Sequence, residues 1–327
     1  MSSTPAGTDS KRALVTGGTG FVGANLVRRL LDDGHTVGLL VRESHDPWRL
    51  SDVSGQVQWI PVSLDEDDAL NSALANFRPH WVFHLAAHGA YSWQQDTASI
   101  LKTNVLGTAK LVDTCLKVGF ETFINTGSSS EYGFKDHPPR EDESLIPTSP
   151  YAVSKAAATL YCAQAARATG APIVTLRLYS AYGPWEEPQR LIPQLVARGL
   201  EGRLPPLASP DTARDYVYTS DICDAYLLAA RGRHKPGAVY NVGTGVQTTL
   251  RQAVEATRRV LGITAEPTWG SMPDRSWDTS TWVADSSLLT ARLGWTPAVS
   301  LERGLRLTAD WLTGHRHLED RYRAAIS

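Results

Sequence analysis

The sequence predicts an α/β protein built around a doubly wound parallel sheet. In the first half of the chain, short apolar runs of strand length alternate with longer segments of helical periodicity. The first apolar run ends in a glycine pair, which is typical of a strand that leads into a tight turn. A chain of 327 residues is long enough to bury such a sheet. Because crossovers between parallel strands are right-handed, we expect helices on both faces of the sheet.

The predicted elements follow one another regularly. The segments that predict strands are, in chain order, KRALVTGG, TVGLLVR, VQWIPVS, PHWVFHLAA, TFINTGSSS and PIVTLRLY. The segments that predict helices are ANLVRRLLDDGH, EDDALNSALANF, NVLGTAKLVDTCLKVG and YAVSKAAATLYCAQAARATG. Gly34 and Gly170 are expected to end the first and the last of these helices.

The composition changes near Gly183, where the chain becomes rich in proline. This change predicts a smaller α/β C-terminal lobe, with AVYNVG returning to the sheet as a strand. The expected division is 11–182, with 215–245 returning to it in part, against 183–214 and 246–327.

The charge and cysteine content exclude several classes of protein. A formal net charge of −2 with interspersed acids and bases does not favour nucleic acid or a membrane surface as a partner. Cys115, Cys162 and Cys223 lie far apart in helical segments, which predicts buried thiols in a reducing compartment and no metal site. No apolar run approaches the ~20 residues of a membrane span, and the first ten residues lack the apolar core of a signal peptide. We expect a soluble, cytoplasmic protein that acts on a small molecule.

A glycine-rich stretch, TGGTGFVG, follows the first predicted strand and opens the first helix. Glycines there permit a tight turn, allow the backbone to approach a pyrophosphate, and let the helix pack closely on the sheet. The helix N-terminus adds N–H groups and a positive dipole end. The stretch therefore predicts a Rossmann-type dinucleotide site, and the expected contacts are Gly17, Gly20, Phe21, Val22 and Gly23.

The end of the second strand discriminates between two cofactors. An acidic residue at this position binds the ribose 2′-hydroxyl of NAD, whereas an arginine accommodates the 2′-phosphate of NADP. Arg42 follows the strand here, with Ser44 nearby, which favours NADP(H). The alternative is that Arg42 is a solvated cation and Glu43 takes the acidic role, which would allow NAD(H).

Tyr151 and Lys155 lie four residues apart near the start of a predicted helix, so both side chains share one face. A phenol with a pKa near about 10 is a poor acid or base at neutral pH, and an adjacent ammonium lowers that value. The pair is suited to proton transfer, although ordinary surface residues of helices also show this spacing.

Three motifs, TGGTGFVG, TGSSSEYG and YAVSK, occur in an order that resembles the extended short-chain dehydrogenase/reductase family. The resemblance is to its nucleotide-sugar epimerases, dehydratases and ketoreductases. Later segments agree with it: LRLYSAYGP, ARDYVYTSDICDAYLLAA, YNVGTG and the tail that begins PDRSWDTSTW. The resemblance implies a dinucleotide-binding domain in 11–182, a nucleotide-sugar-binding lobe in 183–214 and 246–327, and a homodimer.

The resemblance also implies catalytic roles. Tyr151 would be the general acid/base at a sugar oxygen, Lys155 would hold the nicotinamide ribose, and Ser128 would complete the triad. Asn104 matches a family asparagine with a structural role, and His84 is expected to be a packed strand residue. The further residues expected at the cofactor are Ser63, Leu64, Leu85, Ala86 and Ala87. An aspartate often stands at position 63 in the family, and here Asp65 is two residues away.

Contacts to the nucleotide sugar are implied for a further group. Arginines suit a diphosphate because the guanidinium fork donates two parallel hydrogen bonds. The residues expected at the substrate are Ser129, Ser130, Arg190, Arg214, Arg275 and Asp278. Trp277 or Trp282 could flank the base, and Ser180 replaces an asparagine that is common in the family.

The reaction is narrowed by the residues that follow Ser128. Family 4,6-dehydratases carry an acid and a base there, and this chain has Ser129 and Ser130, with Glu131 shifted by one position. Ser128, Tyr151 and Lys155 suffice for a ketoreductase or a 4-epimerase. With Arg42, the sequence favours NADPH-dependent reduction of the 4-keto group of a nucleotide-diphosphate 4-keto-6-deoxyhexose. The alternatives are a 4-epimerase with retained NAD, a dehydratase, or a non-catalytic dinucleotide sensor.

Overall fold

The computed structural model describes residues 10–272 and 279–324. The predicted substrate residues Arg275 and Asp278, and Trp277 as a residue that could flank the base, lie outside the described part. Its strands are β1 (Arg12–Thr16), β2 (Thr36–Val41), β3 (Gln58–Pro61), β4 (Trp81–His84), β5 (Thr122–Ser128), β6 (Ile173–Leu178), β7 (Ser180–Tyr182), β8 (Ala213–Arg214), β9 (Tyr216–Tyr218), β10 (Val239–Val242) and β11 (Thr248–Thr249).

Its α-helices are α1 (Phe21–Asp32), α2 (Asp67–Phe77), α3 (Thr97–Leu101), α4 (Gly107–Val118), α5 (Pro150–Thr169), α6 (Leu191–Gly199), α7 (Thr219–Arg231), α8 (Leu250–Leu261), α9 (Ser287–Leu293), α10 (Leu301–Gly314) and α11 (Glu319–Ala324). Short 3-10 segments lie at Trp48–Gln56, Ser129–Tyr132 and Arg316–Leu318, and a π-helical turn at Lys102–Leu106 joins α3 to α4.

The main sheet has seven strands in the order β10-β6-β5-β4-β1-β2-β3. The pairings of β1 with β2 and β4, of β2 with β3, and of β4 with β5 are parallel. The strand order reverses between β1 and β4. In open α/β sheets, ligands bind outside the carboxyl ends of the strands at such a reversal. The predicted doubly wound sheet is confirmed, and it directs attention to the loops after Thr16 and His84.

The chain divides into two compact units. The first unit is Met1–Glu131, Ser149–Arg177 and Tyr226–Tyr240. Its core contains strand residues such as Leu14, Val82 and Phe123, which are fully buried against helical residues such as Leu111 and Cys162. Strands with two buried faces explain the near-continuous apolar runs in the sequence.

The second unit is Tyr132–Thr148, Leu178–Ala225 and Asn241–Ser327. It contains two small sheets, β7 with β9 and β8 with β11. Trp295 is buried in it and donates its indole N–H to the carbonyl of Asp221 at 2.8 Å. The assignment of cofactor binding and sugar binding to different parts of the chain stays a prediction.

Helix α5 begins where the sequence predicts. Ser149 accepts a hydrogen bond from the Ala152 N–H as N-cap, and Pro150 occupies the first turn, where its missing N–H costs nothing. Gly170 ends the helix in the left-handed conformation, at φ 72°. These signals fix the start of the helix that carries Tyr151 and Lys155.

None of the described helices is both long enough and apolar enough to cross a membrane.

Candidate active site

The glycine loop between β1 and α1 leaves no room for side chains. Gly17 has φ 69°, and a Cβ added there would lie 2.6 Å from the backbone nitrogen of Ala86. A Cβ on Gly23 would overlap the carbonyl oxygen of Gly17. The backbone of the loop therefore packs directly against the segment after β4. A loop without side chains also lets a pyrophosphate approach the backbone closely.

The N-terminus of α1 adds donors to this loop. Gly20 is the N-cap and has no side chain to accept from the first turn, while its own N–H donates to the Gly17 carbonyl at 3.0 Å. The first-turn N–H groups of Phe21, Val22 and Gly23 thus receive no side-chain cap, which suits an anionic ligand. The residues present fit a dinucleotide diphosphate.

His84 fixes the segment that faces the glycine loop. Its Nδ1 lies 2.7 Å from the hydroxyl of Thr16 on β1, and its Nε2 lies 2.8 Å from the hydroxyl of Thr108 on α4. Thr16 also accepts the Ala86 N–H at 3.1 Å, which places Leu85 and Ala86 beside Gly17. Burial, and then the charge of Lys155, lower the pKa of His84 to about 3. His84 is a neutral packed residue, in agreement with the prediction.

Two arginines follow β2. Arg42, the predicted NADP determinant, is exposed. Arg49 is buried: its guanidinium lies 4.3 Å from the Trp48 ring centroid, and its Nη1 donates to the carbonyl of Thr19 in the glycine loop at 3.4 Å. The sequence analysis missed Arg49, because it lies several residues beyond the strand end and no motif marks it.

Ser63 follows β3 and donates its hydroxyl to Asp65 in a short hydrogen bond. Asp65 also pairs with Lys102 at 2.6 Å. Hydrogen bonds from Lys102 and then from Ser63 lower the pKa of Asp65 to about 2. Leu64 lies against Gly107 at the start of α4, where an added Cβ would be 3.1 Å from its side chain. Asp65 is therefore ionised and already paired beside the position where the family often has an aspartate.

Ser128 is the last residue of β5 and leads into a compact turn. The Ser128 hydroxyl lies 2.8 Å from that of Ser130, and Ser129 is only 7% exposed. Glu131 is fully buried and accepts three hydrogen bonds: from the Ser128 N–H at 2.8 Å, from the Thr159 hydroxyl at 3.0 Å and from Arg177 Nε at 2.8 Å. Both carboxylate oxygens of Glu131 therefore accept hydrogen bonds from other residues of the fold.

Tyr151 is half-buried and Lys155 is only 4% exposed, one turn further along α5. Burial lowers the pKa of Lys155, while the charge of Glu131 raises it. The backbone of Gly89 lies against the Tyr151 ring, since an added Cβ would be 3.4 Å from Cδ2. The prediction of two side chains on one helical face is consistent with this arrangement.

Asn104 supports the same region. Its side chain accepts from the His88 N–H at 2.8 Å and donates to the His88 carbonyl at 2.8 Å. It also donates to the hydroxyl of Ser154 at 2.8 Å, which ties the loop after β4 to α5. These contacts are structural, as the resemblance implied.

In the second unit, Arg214 lies at the end of β8 with its guanidinium 5.6 Å from the Trp282 ring centroid. The next residue, Asp215, is fully buried and accepts hydrogen bonds from the Thr244 N–H and hydroxyl, the Gly245 N–H and the Ala284 N–H. This network holds the strand end that presents Arg214.

Arg190 was also predicted to bind the substrate, and Ser180 replaces the family asparagine. Arg190 is exposed, and its Nε lies 3.6 Å from Glu186. Ser180 donates its backbone N–H to the Asp215 carbonyl at 2.9 Å. Arg190 is thus already partly neutralised by an acid four residues earlier in the chain.

Three features together are typical of an α/β enzyme that uses a nicotinamide dinucleotide. They are the parallel sheet with a reversal in its strand order, the glycine loop after β1, and the helix that carries Tyr151 and Lys155. The sequence pattern of the NAD dependent epimerase/dehydratase family matches residues 13–243, and the chain belongs to this family.

Two relatives that are at least 30% identical to this chain differ in the activity that their names give. The UDP-glucose 4-epimerase of Mycolicibacterium smegmatis is 32% identical over 309 residues, which cover 92% of this chain and 98% of the relative. The dTDP-glucose 4,6-dehydratase of Streptomyces griseus is 30% identical over 315 residues, which cover 93% of this chain and 94% of the relative.

Among solved structures, the UDP-glucuronic acid 4-epimerase of Bacillus cereus, in complex with UDP-glucuronic acid and NAD, matches with a TM-score of 0.81 and 26% identity. The match covers 93% of this chain and 99% of that protein. The predicted family and fold class are confirmed, and so is the prediction of an enzyme of the nucleotide-sugar epimerase/dehydratase type. The preference for NADP over NAD stays a prediction.

Proposed function

We propose that this protein is a nucleotide-sugar 4-epimerase that retains NAD. The observation that supports the proposal is that the turn after Ser128 offers no free acid or base for a dehydratase. Ser129 and Ser130 cannot serve as acid and base at neutral pH, and Glu131 is buried against Arg177. What is left at this turn is the group of hydroxyls that a reversible oxidation at one carbon needs.

The proposed chemistry divides between the cofactor and the chain. Bound NAD supplies the hydride acceptor and, later, the hydride donor. Tyr151 takes the proton of the sugar hydroxyl at C4 during oxidation. After the sugar has turned, so that the hydride returns to the opposite face of C4, Tyr151 gives a proton back to the oxygen at C4. Ser128 hydrogen-bonds the same oxygen, and Lys155 stabilises the ionised phenol. These roles are proposals for the three residues.

Arg214 and Trp282 support a nucleotide diphosphate as the rest of the substrate. A guanidinium next to an aromatic face suits a diphosphate that carries a planar base. We propose that Arg214 binds the diphosphate and that Trp282 flanks the base. The 4-epimerases among the relatives act on UDP-sugars by name, so a UDP-hexose is the first substrate to test.

A second candidate is the NADPH-dependent ketoreductase, and one observation favours it. Arg42 is exposed at the end of β2, where it is accessible to a 2′-phosphate. The epimerase takes precedence because two of the proteins named above are 4-epimerases, and one of them is 32% identical to this chain over nearly its whole length.

Three assays on one preparation separate the candidates. The protein is incubated with UDP-glucose alone, with dTDP-glucose alone, and with NADPH plus a 4-keto-6-deoxy nucleotide hexose. The proposal expects UDP-galactose in the first reaction and no 4-keto product in the second. Oxidation of NADPH in the third reaction, without epimer in the first, would establish the reductase instead.

A homodimer belongs to this proposal. Val153 and Leu160 lie seven residues apart on α5 and are 46% and 59% exposed. Leu106, just before α4, is also 59% exposed. Apolar side chains on neighbouring helices of one unit form the kind of surface that a second copy covers.

A further inference from the structure

Glu131 joins three elements of the first unit through one buried carboxylate. Its Oε1 accepts from the backbone N–H of Ser128, at the end of β5, and from the hydroxyl of Thr159, on α5. Its Oε2 accepts from Nε of Arg177, on β6. All three partners donate, so the ionised carboxylate satisfies them and a protonated carboxyl would not.

The contact between Glu131 and Thr159 connects the turn after β5 to the face of α5 that carries Tyr151 and Lys155. Thr159 lies four residues beyond Lys155 and eight beyond Tyr151, so the three side chains follow one face of α5. The same carboxylate oxygen that holds the Ser128 N–H therefore holds the face of the helix that presents the proposed acid/base. The approach is close: a Cβ on Gly127 would lie 2.7 Å from Glu131 Oε1.

A contribution to stability alone does not explain the buried ion pair of Glu131 and Arg177. Removing two charges from water costs several kcal/mol for each ion, and apolar replacements of a buried pair are often neutral or stabilising. The side chains of Arg177 and Glu131 are only 3% and 0% exposed. A buried pair that ties the turn of Ser128 to α5 is better explained by the geometry that it fixes.

We propose that Glu131, held by Arg177, is a positioning residue that sets Ser128 against Tyr151 and Lys155 for proton transfer. The inference rests on the proposed function for the roles of those three residues. It assigns no contact between Glu131 and the substrate.

The charge of Glu131 has a second consequence for Lys155. The charges of Glu131 and Cys162 raise the pKa of Lys155, and the charge of Lys155 in turn lowers the pKa of His84 and of Glu131. Burial lowers the pKa of Lys155, and Glu131 opposes that shift. Loss of the Glu131 charge therefore lowers the pKa of Lys155 further, and the ammonium is lost at a lower pH than in the wild type.

The test compares a double variant that removes both buried charges with single variants that each remove one hydroxyl. Glu131→Val with Arg177→Leu removes both charges together, so no unpaired ion is left buried. Thr159→Val removes only the link to α5. Thr122→Val is the matched control, because Thr122 is a buried threonine of β5 whose hydroxyl donates to the Ala230 carbonyl at 3.1 Å.

For the double variant we expect kcat to fall about tenfold or more with KM within about threefold, and bound NAD to be unchanged. Thr159→Val is expected to lower kcat in the same sense and the control is not. Glu131→Gln is the charge test: its alkaline loss of activity is expected at lower pH than in the wild type. Unchanged kcat in the double variant and in Thr159→Val would overturn the proposal.

Hydrogen–deuterium exchange gives a readout that does not depend on turnover. The Ser128 N–H is expected to exchange faster in the double variant, while peptides from α4 keep their wild-type rates. If wild-type protein turns over none of the sugars, the proposed function fails, and this exchange still decides the structural half of the inference. Equal exchange of Ser128 in both proteins would contradict the positioning role.

Discussion

At the scale of single residues, the account depends on Tyr151. The sequence placed it one turn before Lys155, and the structure adds that Lys155 is nearly fully buried and that the Gly89 backbone lies against the phenol ring. A lysine in this position holds a charge close to the helix face while water is excluded from it. The surroundings of Tyr151 therefore depend on the folded structure, because the burial of Lys155 and the approach of Gly89 cannot be seen from the spacing of the two residues.

Tyr151→Phe removes the acid/base and keeps the ring that contacts Gly89. We expect turnover to fall by about 100-fold or more, because general acid–base catalysis contributes that much, while NAD remains bound. Initial rates and the bound dinucleotide of the purified variant are the measurements. Wild-type turnover in this variant is incompatible with the proposed role of Tyr151.

The two arginines after β2 give a second prediction at this scale. Arg42 is exposed, whereas Arg49 contacts the Thr19 carbonyl of the glycine loop. If NAD is the cofactor, Arg42→Ala should leave its affinity within about twofold, because an exposed side chain without a 2′-phosphate to bind contributes little. Arg49→Met should weaken NAD binding more, because it disturbs the loop. Titration of both variants with NAD and NADP checks this, and a selective loss of NADP affinity in Arg42→Ala would restore the reductase assignment.

At the scale of elements, strands and helices were predictable because their signals are local. Alternation of apolar runs, the N-cap Ser149 with Pro150, and the terminal Gly170 each act within a few residues. Contacts that span the chain were not predictable in this way. Arg177 lies 46 residues from Glu131, and no spacing rule pairs an arginine of β6 with the turn after β5.

His84 joins β4 to β1 and α4 through Thr16 and Thr108, and its protonation is expected to loosen all three. Burial, and then the charge of Lys155, lower the pKa of His84 to about 3 in the folded protein, against 6.5 for an unperturbed histidine. Between these values the unfolded chain binds the proton more readily, so this contribution to stability is complete above pH 6.5 and is lost as the pH falls toward 3.

The measurement is the urea midpoint of wild type and His84→Gln from pH 8 to about 4. The variant is expected to be less stable at pH 8, since it loses buried hydrogen bonds, and its stability should fall less steeply below pH 6.5. Parallel curves for the two proteins would show that His84 is not the group that titrates.

At the scale of the whole molecule, the sequence predicted the family and the fold through three motifs that lie far apart in the chain. Ser129 and Ser130 argued against a dehydratase from the sequence alone, and the structure adds that Glu131 is buried against Arg177. The second unit was the least predictable part. Its proline-rich segments carry weak periodicity, and its contacts join distant positions such as Asp215 and Ala284.

The proposed dimer gives a prediction for the assembled molecule. Val153→Glu with Leu160→Glu places two charges on the exposed apolar face of α5, and we expect the protein to become a monomer. Leu307→Glu is the control, because Leu307 is also exposed, at 37%, but lies on α10 of the second unit. Light scattering after size exclusion measures the mass. A wild-type monomer, or a double variant that stays dimeric, would reject this surface.

In the proposed reaction, one carbon is oxidised and reduced again within one active site. UDP-glucose that carries deuterium at C4 is incubated with the purified protein and no added cofactor. We expect UDP-galactose to form with the deuterium still at C4, because the hydride returns to the carbon it left, and UDP-galactose should give the same final mixture. Absence of the epimer, or accumulation of a 4-keto product, would contradict the account.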